Sequence, residues 1–295
     1  MAMKSYLLRS EHITRWHALW AVGMALLGLA ATYEAWKDIF TIALKDEESS
    51  QVWLVLLVAP WILWVRRMRF RHCRASGTIA GPLIALGGWW ISSYGFYNGV
   101  QSFWHGGSVL VVVGCVLSVL GKNVIFRFFP VLAVLVFLIP VPGMIRQQIA
   151  GPLQNWLAQI SEFLLQLLGA EVQRAGNMLI VNNQRVEIAE ACNGMRLVFP
   201  LILVVYAFSF GLPLRNSVRF LLLLASPLAA IVCNVIRILP TACLYGYGAR
   251  GTAERFHEVA GWLMLPLAFG MLYGIIKVLR WAMLPVTRYT LAGQG

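Results

Sequence analysis

The stretch Phe220-Leu-Leu-Leu-Leu-Ala-Ser-Pro-Leu-Ala-Ala-Ile-Val-Cys-Asn-Val-Ile236 decides the fold class. It carries no charge and ends against Arg237. Such a run approaches the ~20 apolar residues that take a helix across a bilayer. Similar runs are Trp16–Tyr33, Val52–Val65, Ile79–Tyr97, Gly106–Leu120, Phe128–Val141, Leu197–Leu212 and Val259–Val278. Together they predict an all-α polytopic membrane protein with about eight transmembrane helices. Val52–Val65 and Phe128–Val141 are the shortest of the set.

Composition agrees with this class. Of 295 residues, 59% are hydrophobic and 12% charged, and the mean hydropathy is +0.72. Soluble domains average about 45–50% apolar. The length suits one integral membrane domain, residues 1–295, rather than several. Lys4, Arg9 and Arg15 precede an apolar run that ends near Ala30-Ala31, which imitates a signal peptide. Because at least six more spans follow, the run reads as a retained first helix.

Lys and Arg predict the orientation. With a cytoplasmic N-terminus and eight alternating spans, the inner side receives Lys4, Arg9, Arg15, Arg66, Arg67, Arg69, Arg71, Arg74, Lys122, Arg127, Arg215, Arg219, Lys277, Arg280 and Arg288. These are most of the 24 basic residues, and of the 12 acids all but Glu11 fall outside. The formal charge of +12 is then an inner-face excess that needs no nucleic-acid partner. Arg66–Arg74 is a topology determinant, or a site for anionic lipid. The 12 Trp residues read as anchors at the bilayer surface. In this orientation, set by Lys and Arg over the whole chain, Cys192, Arg237 and His257 all fall at outer boundaries of spans.

Pro142 to Arg196 is the one long stretch outside the spans. Leu153, Trp156, Leu157, Ile160, Leu164, Leu167 and Leu168 recur at steps of three and four, with Gln147, Gln148, Gln154, Gln159, Glu162 and Gln166 between them. This pattern predicts an amphipathic helix, lying in the outer interface or packed against the bundle. Residues 177–189 follow, two β-favouring runs around Asn182-Asn183. They predict a short β-hairpin with a tight turn. The hairpin delivers the chain to Cys192.

Cys192 lies in Glu-Ala-Cys-Asn-Gly-Met-Arg (190–196), where polar sequence gives way to an apolar run. Three readings of it stand side by side. A free Cys is commonly a small packing residue, as Cys73, Cys115, Cys233 and Cys243 are expected to be. A disulfide with Cys243 suits an oxidising compartment. A nucleophile needs nearby positive charge to hold its thiolate, which Arg196, Arg237 and His257 offer. Arg237 shares a helix face with Asn234, three residues back. Polar residues inside an apolar span usually face the bundle and carry function, although an Arg near a helix end also snorkels to headgroups. His257 is a general acid or base, flanked by Glu254 and Glu258, or an incidental surface His. The sequence has no His-Glu-x-x-His, no Gly-x-Ser-x-Gly and no phosphate loop. His12, His17, His72 and His105 are dispersed, so no metal or cofactor is expected.

Taken together, Ala-Glu-Ala-Cys-Asn-Gly-Met-Arg (189–196), Asn-Val-Ile-Arg-Ile (234–238) and His-Glu-Val-Ala-Gly (257–261) resemble the three signature blocks of exosortases and archaeosortases. The likeness takes in Pro-Leu-Gln (152–154) and the hairpin, and covers roughly residues 130–280. It implies a polytopic membrane cysteine protease or transpeptidase. The expected partners are proteins with a C-terminal sorting signal: a short motif such as Pro-Glu-Pro, a transmembrane helix and a basic tail. It also implies Cys192 as nucleophile, with Arg237 and His257 as the conserved arginine and histidine. Asn193, Gly194, Arg196 and Asn234 are supporting residues, and Arg196 competes with Arg237 for the oxyanion. The commonest block reads Cys-Ser-Gly, and here it is Cys-Asn-Gly (192–194), which leaves the subfamily and recognised motif open. The extra C-terminal domain of some exosortases is not expected. The implied location is the bacterial inner membrane, with the site on its outer face. Two non-catalytic alternatives are a transporter, and an assembly factor for exported polysaccharide or protein.

Overall fold

The computed structural model describes residues 11–46, 49, 51–75, 78–187, 195–248 and 250–281. These residues are mostly helical, and the chain divides into two compact units, Met1–Pro142 and Gly143–Gly295.

The first unit holds β1 (Glu11–His12), α1 (Arg15–Ala31), α2 (Tyr33–Lys45), α3 (Gln51–Val65), β2 (Arg74–Ala75), α4 (Ala80–Tyr97), α5 (Gln101–Leu120), α6 (Lys122–Arg127) and α7 (Phe129–Val134). β1 and β2 pair antiparallel as a two-residue ribbon. Helices α4 and α5 pack closely along their length. Small residues make this approach possible: a Cβ at Gly107 would overlap the backbone of Ser92. Apolar helices in lipid gain little from hydrophobicity toward one another, so close backbone packing has to hold them. At Thr32 the chain turns by 82° between α1 and α2. The amphipathic α2 then buries Ala35, Trp36, Ile39 and Ala43. It is tied to α5 where His105 Nε2 meets Asp38 Oδ2 at 2.9 Å. In the loop after α3, burial pushes the Cys73 thiol pKa up, with Arg127 pulling the other way.

The second unit holds α8 (Gly143–Leu167), β3 (Val172–Ala175), β4 (Met178–Val181), β5 (Gln184–Glu187), α9 (Met195–Gly211), α10 (Asn216–Tyr247) and α11 (Arg250–Trp281). The strands form an antiparallel meander, β3-β4-β5, with Leu179 opposite Val186 and Val181 opposite Gln184. Asn182 (φ 48°) and Asn183 (φ 62°) both sit in the left-handed region. That is the type I′ hairpin turn, which Asn tolerates better than other side chains. Gly176 (φ 65°) opens the tight turn before β4. The alternating residues Leu179 and Val181 are fully buried, in one core with Leu157 and Leu165 of α8 and Ile238 and Ala242 of α10. A second core joins Leu201 and Val205 of α9, Ala230 and Cys233 of α10, and Met264 and Ala268 of α11.

All eight predicted spans overlie helix. Among the described residues, two helices, Gln101–Leu120 and Asn216–Tyr247, are long and apolar enough to cross a membrane. Counting three broken helix pairs as one span each raises this to five. Gln51–Val65 and Val198–Gly211 are apolar but shorter. Length and composition of the described helices thus account for two to five crossings. The fifth predicted span is the least regular: Phe129–Val134 is α-helical and Leu135–Leu138 is a 3₁₀ turn.

Three further features differ from the sequence reading. The 13-residue α2 was not foreseen. The predicted hairpin has a third strand. Helix α8 begins at Gly143 and carries two apolar stripes, not one. Ala150, Leu157, Ala158 and Leu165 are buried, whereas Ile145, Ile149, Trp156, Ile160, Phe163 and Leu167 are exposed on another face.

Candidate active site

Helix α10 is the element on which the site is organised. It runs 32 residues through two prolines, Pro227 and Pro240. A proline in a helix removes the N–H that would serve the carbonyl four residues back. For Pro227 that carbonyl belongs to Leu223, and the Ser226 hydroxyl donates to it at 2.8 Å. Farther along, the Thr241 hydroxyl donates to the Arg237 carbonyl at 2.7 Å, beside Pro240. The helix therefore continues ten residues beyond Arg237, to Tyr247. Arg237 is not at a helix end as the hydropathy suggested.

Arg237 is only 6% exposed and Asn234 is fully buried. An arginine snorkelling to headgroups would be solvent- or lipid-exposed along its length; this one is enclosed. Its guanidinium points at α11: Nη1 lies 3.8 Å from the place a Cβ would take on Gly261. Residues 257 and 261 are one turn apart and share a face. Half-buried His257 thus belongs to the face of α11 that meets Arg237. Arg237 therefore meets α11 one helical turn from His257, which is 20 positions on in the sequence.

The sheet is fastened to the far end of α10. The Asn182 amide donates to the Gly246 carbonyl at 3.1 Å. The Glu171 backbone N–H donates to the Tyr247 hydroxyl at 3.3 Å. A Cβ on Gly246 would stand 2.5 Å from Val181 Cγ1, so the turn rests directly on the helix backbone. Strand β5 packs on α10, and α9 packs on α10 and α11. The chain leaves β5 at Glu187 and enters α9 at Met195, so both flanks of the Cys192 segment rest on the helix that carries Arg237.

Cys192, Asn193 and Gly194 lie outside the described residues. Arg196 is placed as backbone in the first turn of α9, without a described side chain. Cys243, the predicted alternative disulfide partner, is a free and half-buried thiol. Cys73, Cys115 and Cys233 are free and buried, as packing residues are. The Cys233 thiol contacts Met271 Sδ at 3.6 Å within the α10–α11 core.

Residues missed by sequence reasoning are those that act across long separations. Gly246 and Tyr247 carry no local signal of their contact with the sheet. The Asp38–His105 pair is separated by 67 positions, and no periodicity relates its members.

The transmembrane exosortase family model (Exosortase_EpsH) matches residues 36–274. No curated protein and no solved structure matches the chain. The matched span takes in all of α3 to α10 and the blocks around Arg237 and His257. The chain belongs to the transmembrane exosortase family.

Proposed function

We propose that this exosortase is a membrane-embedded cysteine protease or transpeptidase that cleaves C-terminal sorting signals from exported proteins. Its substrates carry a Pro-Glu-Pro-like motif, a transmembrane helix and a basic tail. The reaction takes place at the outer face of the bacterial inner membrane, with the enzyme's N-terminus cytoplasmic and its helices crossing about eight times. The excess of Lys and Arg in alternate loops supports that orientation.

The observation that carries the reading is the enclosed Arg237 guanidinium at the α10–α11 contact, on the face that also bears His257. A buried cation in an apolar helix pair is costly unless it has work to do. Low dielectric strengthens its interaction with developing negative charge. In the reaction, His257 takes the Cys192 proton. The thiolate then forms a C–S bond to the scissile carbonyl while Arg237 stabilises the oxyanion. Collapse breaks the peptide C–N bond, and the proton on His257 passes to the leaving amine. Water or a second amine then opens the thioester and releases Cys192. Asn193, Gly194, Arg196 and Asn234 support this site. Arg196 is the alternative candidate for the oxyanion.

The test is co-expression of Cys192→Ala with a protein bearing such a tail. Loss of cleavage, with the enzyme still in the membrane, is the expected result. Undiminished cleavage by this variant ends the proposal.

A further inference from the structure

The turn at Thr32 opens a groove of about 340 Å³ between the α1–α2 corner and helices α4 and α5. This groove lies wholly within the first unit, and nothing in the cysteine chemistry uses it.

Its floor is Ser92 and Ser108, both buried. The hydroxyl oxygens of Ser92 and Ser108 lie 3.0 and 2.9 Å from the Trp104 carbonyl and 3.0 Å from each other. A hydroxyl has one proton and two lone pairs, so this trio consumes both protons and leaves the oxygens as acceptors only, Ser92 being the more exposed of the two. Thr32 is in the same state: its hydroxyl donates to the Gly28 carbonyl at 2.8 Å and accepts from Trp36 Nε1 at 3.0 Å. At the rim, Glu34 adds a carboxylate, an acceptor only, which forms no ion pair with another described residue. The side walls are aromatic: Trp89, Phe96, Tyr97 and Trp104, with the Phe96 and Trp104 rings 5.3 Å apart at 60°.

Ring faces carry the negative part of the aromatic quadrupole. The lining contains no Lys, Arg or His. Donors remain on Ser93, Tyr33 and Tyr97, whose hydroxyls also accept, and on the indole N–H groups at the ring edges of Trp89 and Trp104. Lone pairs, a carboxylate and π-faces all favour one kind of guest, and an anion finds no counter-charge.

We propose that this groove binds a primary ammonium group, its N–H donors directed to Glu34 and the serine floor and its charge set against the aromatic wall. Such a group is supplied either by the headgroup of an aminophospholipid or by a soluble amine. The site does not depend on Cys192 or on sorting activity, so it stands or falls separately from the proposed reaction.

The full chain in nanodiscs tests it. In one arm, discs contain phosphatidylethanolamine, phosphatidylcholine or phosphatidylglycerol, and native mass spectrometry reads the lipid retained. In the other, ethylammonium chloride is titrated into phosphatidylglycerol discs against sodium chloride at equal ionic strength, with tryptophan fluorescence as readout. Preferential retention of phosphatidylethanolamine over its trimethylated counterpart identifies the lipid source. Saturable quenching by ethylammonium without lipid preference identifies the soluble one. Glu34→Gln removes the charge at an exposed position and lowers either response about tenfold, since a charge-assisted hydrogen bond is lost. Phe96→Leu lowers it by a smaller factor, and unchanged thermal unfolding of both variants shows that the fold is kept. Absence of both responses in the wild type, or a Glu34→Gln variant that binds equally well, overturns the proposal.

Discussion

Arg237 and Gly261 face one another across α10 and α11, with the guanidinium Nη1 3.8 Å from the position of a Gly261 Cβ. That distance is ordinary van der Waals contact. A methyl group fits there, whereas a longer side chain occupies the guanidinium's place. Gly261→Ala is therefore expected to keep substrate cleavage within a few-fold of wild type. Gly261→Leu is expected to reduce it by about 100-fold, because catalysis is sensitive to displacements of about 1 Å. Cleavage of a co-expressed sorting-signal protein measures both, and equal loss in the two variants would argue against displacement of Arg237 as the cause.

Arg237→Lys tests the planar fork apart from the charge. Lysine keeps a cation but loses the rigid set of five donors. Both Arg237→Lys and Arg237→Ala are predicted to lower the turnover rate by about 100-fold or more, in the range seen when an oxyanion donor is removed. Single-turnover cleavage in detergent is the measurement. Full activity in Arg237→Lys reduces the residue to a simple positive charge.

The Asn182–Gly246 contact predicts a graded response in the sheet. Asn182→Gly keeps the left-handed turn and loses only the 3.1 Å bond to the Gly246 carbonyl, a loss of about 1 kcal/mol. Asn182→Ala loses the bond and also strains the backbone at φ 48°, adding about 1 kcal/mol. Hydrogen exchange of the β4–β5 amides reads the order wild type, Asn182→Gly, Asn182→Ala. Identical protection in all three means that the turn is not held through this side chain.

Ser226 and Pro227 are predicted to be coupled. Ser226→Ala leaves the Leu223 carbonyl without the hydroxyl that donates to it at 2.8 Å, costing about 1 kcal/mol. Pro227→Ala restores the backbone N–H of the helix at that carbonyl. In the double variant the serine deletion should therefore cost almost nothing. A thermal-unfolding double-mutant cycle measures this, and additive effects would exclude the compensation.

Parts of this molecule were legible residue by residue because their physics is local. Apolar runs mark helices whatever packs beside them, and each predicted span overlies helix. Asn182-Asn183 between β-favouring runs encodes its turn through the backbone preferences of Asn. Asn234 and Arg237 share a face by helix geometry alone. The misjudged elements are those in which polar and apolar signals mix. Helix α2 carries Glu34, Lys37, Asp38 and Lys45 beside its buried face, so no hydropathy run marked it. Helix α8 spreads apolar residues over two faces, which a single-stripe reading merges.

Sequence alone determined the membrane class, the helical runs, the Asn-Asn turn and the family blocks around Cys192, Arg237 and His257, since each depends on composition or on neighbours within a few residues. Tertiary structure alone decided that Arg237 is enclosed within a continuing helix rather than exposed at its end. It also decided that Gly261 makes room for the guanidinium and that Gly246 receives the hairpin turn. Those relationships join residues tens of positions apart through packing, and packing leaves no periodic trace in the chain.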